Sequence, residues 1–205
     1  MKKWKRVLAA VLAAAMTMGM LTGCSGGSSS SGETAAEGES ASASSGGSHG
    51  DTLRVALTSE PPSLTTCDHD SLISVGMNML TYNGLVRIDN ATLRPELDLA
   101  SEYTVENDVD WIFKLKEGVK FHNGEEMTSA DVVASLDYAK SIPGSAIYTN
   151  NFANIEAVDD YTVKITTPQP YAGLLYDLGY HYNWIVPKSL LDSGNDFNEN
   201  PIGTG

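Results

Sequence analysis

WIFKLKEGVKFHNGEEMTSADVVASLDYAK, residues 111–140, holds a strand, two turns and a helix in thirty positions. Trp111, Phe113 and Leu115 alternate with Ile112, Lys114 and Lys116, the period of a strand with one apolar face. Glu117-Gly118 turns the chain, Val119 and Phe121 alternate again, and Asn123-Gly124 makes a second turn. Thr128 and Asp131, three apart, have the spacing of a reciprocal helix cap. Val132, Leu136 and Ala139 then mark a buried helical stripe that Pro143-Gly144 ends.

Working outward, Tyr103 to Val105 and the Asn107-Asp108 turn supply the other arm of a hairpin with Trp111–Lys116. Ile155–Val158, Asp159-Asp160 and Tyr161–Ile165 repeat that pattern, closed by Pro168 and Pro170. Tyr171–Leu178 reads as a short helix. Trp184–Lys188 reads as extended chain entering a helical turn at Ser189–Leu191. Upstream, Leu53, Val55 and Leu57 alternate like a first strand, stopped by Glu60-Pro61-Pro62-Ser63. A helix is expected from Asp70 or Ser71, with Leu72, Val75, Met79 and Leu80 buried and Asn83-Gly84 at its end. Leu85–Ile88 follows as a strand turned by Asp89-Asn90. Strands and helices mix without regular alternation, so the fold class is mixed α/β (α+β).

The N-terminus has a different character. Lys2, Lys3, Lys5 and Arg6 precede an uncharged run, residues 7–21, and Leu21-Thr22-Gly23-Cys24 closes it. Basic head, apolar middle and small-residue exit are the layout of a secretory signal, residues 1–23. A cysteine at the exit resembles the lipobox of bacterial lipoproteins, which implies that Cys24 carries a lipid and anchors the chain to a membrane. Residues 25–50 hold ten Ser and seven Gly and no aromatic residue, so 24–50 is expected to be a flexible tether. The long tether fits a Gram-positive surface, and a periplasm-facing anchor in a Gram-negative envelope is the alternative.

The net charge is −13, and removing residues 1–23 leaves nine basic residues against 26 acidic ones, a net −17. Such a body disfavours nucleic acid as a partner. With Cys24 lipidated, Cys67 is left alone and forms no intrachain disulfide. Cys67, Asp68, His69 and Asp70 mix soft and hard metal ligands, but adjacent side chains diverge and no ligand spacing supports a site, so a solvated turn is expected there. No cofactor is expected. Tyr171, Tyr176, Tyr180, His181, Tyr182 and Trp184 form an aromatic-rich stretch that faces either ligand or core. Ser63, Ser71 and the four histidines lack a G-x-S-x-G arrangement, and Glu125-Glu126 reads as surface charge, so catalysis is not expected.

Several motifs together are similar to one family. Glu60-Pro61-Pro62-Ser63-Leu64, Tyr82-Asn83-Gly84-Leu85-Val86, Pro95-Glu96-Leu97 with Leu99-Ala100-Ser101, the run 111–140, Val186-Pro187-Lys188 and Pro201–Gly205 resemble extracellular solute-binding family 5. These are the substrate-binding lipoproteins of peptide and nickel ABC importers. The resemblance spans residues 51–205 and implies a type II two-lobe binding-protein fold, of which this chain supplies the N-terminal part. Residues 51–86 would belong to lobe I, 87–195 mostly to lobe II, and 196–205 would return toward lobe I.

The resemblance further implies a monomeric receptor that captures an oligopeptide or dipeptide outside the cytoplasmic membrane and hands it to ABC permease and ATPase subunits. Nickel or nickel-chelate, haem, oligosaccharide and peptide-pheromone binding remain open on the same fold, and an extracellular hydrolase is the alternative of another class. Cleft-lining positions carried over are Ser63, Thr66, Cys67, Tyr82 and Asn83. The chain departs from the family at Leu64-Thr65-Thr66-Cys67-Asp68-His69, where a Leu-Asp-Pro-like run is usual.

Overall fold

The computed structural model describes residues 54–67 and 70–205. The signal, Cys24, the tether, Leu53, Asp68 and His69 lie outside the described residues.

The elements run α1 (Leu72–Asn78), β1 (Val86–Ile88), β2 (Pro95–Leu97), β3 (Ala100–Glu106), β4 (Asp110–Leu115), α2 (Ser129–Ser141), a 3-10 turn (Pro143–Ser145), α3 (Ala146–Thr149), β5 (Asn154–Asp159), β6 (Thr162–Thr166), α4 (Leu174–Leu178), a 3-10 turn (His181–Asn183) and α5 (Lys188–Ser193). β1 and β2 form a two-stranded ribbon, and the main sheet has the order β3-β4-β6-β5, antiparallel throughout.

Both expected hairpins are present; in the second, Asp159 Oδ1 accepts the Tyr161 N–H at 2.9 Å across the turn, and in the first the turn residues themselves supply the angles. Asn107 and Asp108 take left-handed angles (φ 51° and 63°), which Asn and Asp tolerate better than most residues. Gly118 and Gly124 do the same at φ 72° and 88°. In β4, Trp111, Phe113 and Leu115 are buried while Lys114 is exposed, as the alternation requires. α2 lies against β5 and β6, and Phe113, Met127, Val132, Leu136, Val163 and Ile165 share a core with no solvent exposure. Burying a side chain of this size contributes roughly 1.5–3 kcal/mol, so these residues are the main apolar source of stability for the sheet–helix layer.

A second core sits at the layer's edge, built from Tyr82, Trp184, Val186 and Phe197. Here the segments around Gly84 and Trp184 run antiparallel, and the Ile185 N–H donates to the Asn83 carbonyl at 2.8 Å. A side chain at Gly84 would meet the Val86 carbonyl oxygen at 3.0 Å, so the close approach depends on glycine.

Three expectations are corrected. Residues 54–57 form no strand, and Val55 and Leu57 are 67% and 46% exposed. Alternation alone does not make a strand; a neighbouring backbone must pair with it, and among the described residues none does. α1 forms, yet its fully buried residues are Ser74 and Asn78: Leu72 is 88% exposed, Val75 is half-buried against the Tyr82 core, and Met79 and Leu80, beyond the helix end, are 50% and 70% exposed. The Ser74 and Asn78 side chains satisfy backbone groups of the preceding loop, and the apolar face meets Val55 and Leu57 across an open groove of about 700 Å³. Finally, α1 ends at Asn78, well before Asn83-Gly84.

Candidate functional site

The loop 63–67 is the centre of a polar network that α1 and a distant segment complete. The Ser63 N–H donates to Ser74 Oγ at 3.3 Å, and Asn78 Nδ2 donates to the Thr65 carbonyl at 3.0 Å. The Tyr82 hydroxyl donates to the Leu64 carbonyl at 3.1 Å. From 135 residues along the chain, Asn198 Oδ1 accepts both the Ser63 hydroxyl at 2.9 Å and the Leu64 N–H at 2.8 Å. The Ser63 N–H is the buried donor among them and needs such a partner, while the Leu64 N–H bond to Asn198 lies at the solvent-exposed side of the loop.

Cys67 is 3% exposed, which corrects the expected solvated turn at that residue, while Asp70 is exposed as expected. Its thiol donates to the Tyr182 carbonyl at 3.2 Å, and its neighbours are Ala139 and Tyr182. A small, weakly polar thiol suits a packed position where a charged side chain would not. Among the described residues, no group of three or more His, Cys, Asp and Glu is placed to hold a metal ion.

Beside this network opens a cavity of about 530 Å³, lined among others by Thr65, Cys67, Tyr138, Ile142, Phe197 and Asn198. The lining mixes the hydroxyl of Thr65, the amides of Asn195 and Asn198 and the carboxylate of Asp196 with apolar and aromatic side chains, a composition that suits a small-molecule or peptide pocket.

Tyr148, Tyr180, Tyr182, His181, Trp184 and Tyr82 form a continuous aromatic ladder. Tyr148 stacks on Tyr180 with ring centres 3.7 Å apart, and on Tyr182 at 5.7 Å. His181 lies 4.5 Å from Tyr180, 4.4 Å from Tyr182 and 6.0 Å from Trp184, and Trp184 stacks on Tyr82 at 6.2 Å. Burial pushes the Tyr182 phenol up to about 12, helped by the charge of Asp70 and a hydrogen bond to it. Burial also raises Tyr148, with a hydrogen bond to Tyr180 adding to the shift, and raises Tyr82 beside Cys67. At neutral pH all three phenols keep their protons, so they act as donors and uncharged faces.

Of the residues carried over by resemblance, Ser63, Thr66, Cys67 and Tyr82 come together around the loop, all buried. Asn83 faces elsewhere: its amide donates to Asp98 Oδ2 at 3.0 Å and its carbonyl accepts from Thr204 at 2.9 Å. The aromatic stretch divides. Tyr180, His181, Tyr182 and Trp184 join the ladder, Tyr171 packs on the main core, and Tyr176 is 51% exposed. Sequence reasoning missed Tyr138, Tyr148 and Asn198. Asn198 sits in Asn195–Asn200, a polar run that reads as an ordinary loop, and nothing local marks its reach.

Residues 94–205 match the model of bacterial extracellular solute-binding proteins, family 5 Middle. The glutathione-binding protein GsiB of Shigella dysenteriae serotype 1 (strain Sd197) is 32% identical over 156 residues, covering 74% of this chain and 30% of that protein. Among solved structures, the PBP AgaA from A.tumefacien R10, in complex with agropinic acid, aligns with TM-score 0.64 at 30% identity over 71% of this chain and 30% of that one. The oligopeptide-binding protein AppA from Bacillus subtilis, in complex with a nonapeptide, aligns with TM-score 0.62 at 27% identity over 71% and 31%. The chain spans about 30% of the length of the curated relatives it matches.

Proposed function

This chain belongs to the bacterial extracellular solute-binding proteins of family 5, with the type II periplasmic-binding-protein fold, and on that premise we propose that it is part of a peptide receptor for an ABC importer. The observation that carries the reading is the cavity of mixed polar and aromatic lining beside a loop held by Asn198 and α1. A peptide entering such a site leaves water and needs both backbone partners and tolerant apolar surface.

In this reading the first residues and α1 belong to one lobe, residues 87–195 mostly to the second, and 196–205 return to the first. Ser63, Thr66, Cys67 and Tyr82 shape the wall of the cleft rather than touch ligand as free groups, and Asn83 stiffens the crossing between lobes. Closure around peptide is a population shift, because contacts from both lobes are made only in the closed state. The receptor works as a monomer, tethered through lipidated Cys24 outside the cytoplasmic membrane, and delivers its ligand to a permease driven by ATPase subunits.

AppA holds a nonapeptide and GsiB is a glutathione-binding protein. Glutathione is itself a short peptide, so both relatives favour peptide-like ligands over a bare metal.

The test is intrinsic-fluorescence titration of the full-length gene product with dipeptides, oligopeptides, glutathione and Ni²⁺. Saturable response to peptides supports the reading, and response to glutathione alone narrows it to that peptide. Response to Ni²⁺ alone overturns it.

A further inference from the structure

Asp70 stands where the aromatic ladder meets solvent. Its Oδ1 lies 3.4 Å from His181 Nε2, and its side chain is 71% exposed while that of His181 is 9% exposed. Tyr182 is buried, and Tyr148 and Tyr180 are half-buried. The other ion pairs among the described residues, Arg87–Glu96, Lys114–Asp159, Lys164–Glu156 and Lys188–Asp192, all lie elsewhere. So no lysine or arginine among the described residues forms an ion pair with Asp70.

A carboxylate has about four acceptor positions. The Tyr182 hydroxyl takes one of them and His181 Nε2 stands 3.4 Å from the carboxylate, and the 71% exposure of Asp70 leaves room at the others for an incoming group. Tyr148 and Tyr180 stack at 3.7 Å and so cover each other's facing sides, which leaves the outer faces and edges of the stack for a cation, and an uncovered tyrosine face attracts a cation through its quadrupole. Because the phenols stay protonated, they present neutral π faces and donors rather than competing anions. The chain's net charge of −13 adds a field that draws cations toward it.

We propose that Asp70 with the Tyr148, Tyr180 and Tyr182 stack is a subsite for a cationic side chain, so that the captured peptide carries a lysine or arginine there. The inference rests on the peptide reading above and refines it from peptides in general to basic peptides. The carboxylate supplies the charge partner, and the stacked rings supply a flat, rigid surface for the aliphatic stem and the cation.

The experiment is calorimetric titration of the full-length protein with tripeptides carrying one lysine among alanines, in each of the three positions. Counterparts carry glutamine instead. In at least one position lysine is expected to bind about tenfold tighter than glutamine, the preference weakening in high salt. Asp70→Asn is expected to bring the lysine-to-glutamine ratio close to one. Tyr148→Leu is expected to reduce it severalfold and serves as the test if the first variant does not fold. Equal affinities in all positions, or a preference that survives Asp70→Asn, overturns the subsite and leaves peptide capture standing. Absence of binding to every peptide overturns the peptide reading and the subsite with it.

Discussion

Asp131 and Lys188, 57 residues apart, are joined by one hydrogen bond: Asp131 Oδ1 accepts the Lys188 backbone N–H at 2.8 Å. The second oxygen of the same carboxylate caps its own helix, accepting the Thr128 N–H at 2.8 Å and the Thr128 hydroxyl at 3.1 Å. One buried side chain therefore fixes the start of α2 and the start of α5 against each other. Lys188 follows directly on the segment that carries Trp184 and Val186, so the bond also sets where the aromatic ladder ends.

Asp131→Ala removes the cap and orphans the Lys188 N–H. The loss of stability should be about 2–4 kcal/mol, read as a lowered urea midpoint. Asp131→Asn keeps one acceptor and should lose less. Equal midpoints for wild type and the alanine variant would show that the carboxylate holds nothing.

Gly203 packs where no side chain fits. A Cβ there would lie 2.1 Å from the Thr81 carbonyl oxygen, a backbone atom that cannot rotate away. Gly203 also accepts the His122 N–H at 2.9 Å. Gly203→Ala should cost roughly 1–3 kcal/mol and speed hydrogen exchange at the His122 amide. An unchanged exchange rate at that amide would refute the docking.

Cys67 is buried, so its thiol should react with a soluble disulfide reagent at least about tenfold more slowly in the native protein than in urea. The measurement uses a Cys24→Ser background, so that a single thiol reports. Equal rates in both conditions would place Cys67 at the surface.

Acid should destabilise the sheet end of the molecule. Asp159 is held below the usual carboxylate range by the Thr162 hydroxyl and the Tyr161 N–H, and Glu126 by the Tyr161 hydroxyl and the Gly118 N–H. Thr166 lowers Asp110 in the same way. A depressed folded value means the unfolded chain binds protons first as pH falls. The stabilisation is therefore complete above the ordinary carboxylate values and is lost as pH drops through the lowered ones. The urea midpoint should decline from about pH 4.5 downward. Asp159→Asn should flatten part of that decline, and a midpoint constant from pH 7 to pH 3 would contradict it.

The two hairpins and α2 were legible because their signals are local. Trp111, Phe113 and Leu115 declare one face by alternation alone, Asn107-Asp108 and Gly118 tolerate the angles their turns need, and Thr128 with Asp131 spells a cap within four residues. The signal failed where local pattern and tertiary demand diverged. α1 has an apolar stripe, yet Ser74 and Asn78 are the residues that meet the loop's unsatisfied backbone groups, and that need sets which face turns inward.

By itself, then, the sequence determined the mixed α/β class, the strands β1 and β3 to β6, the capped α2, the acidic surface and the family resemblance. All of these depend on residue period, turn angles or motif order along the chain. Only the tertiary structure decided that Cys67 is buried against Tyr182, that Asn198 reaches back to Ser63, and that Asp70 lies 3.4 Å from His181 in the aromatic ladder. Those contacts join residues separated by scores of positions. Which of them form depends on the surfaces that pack and on the polar groups that packing strands, and neither is written in any short stretch of sequence.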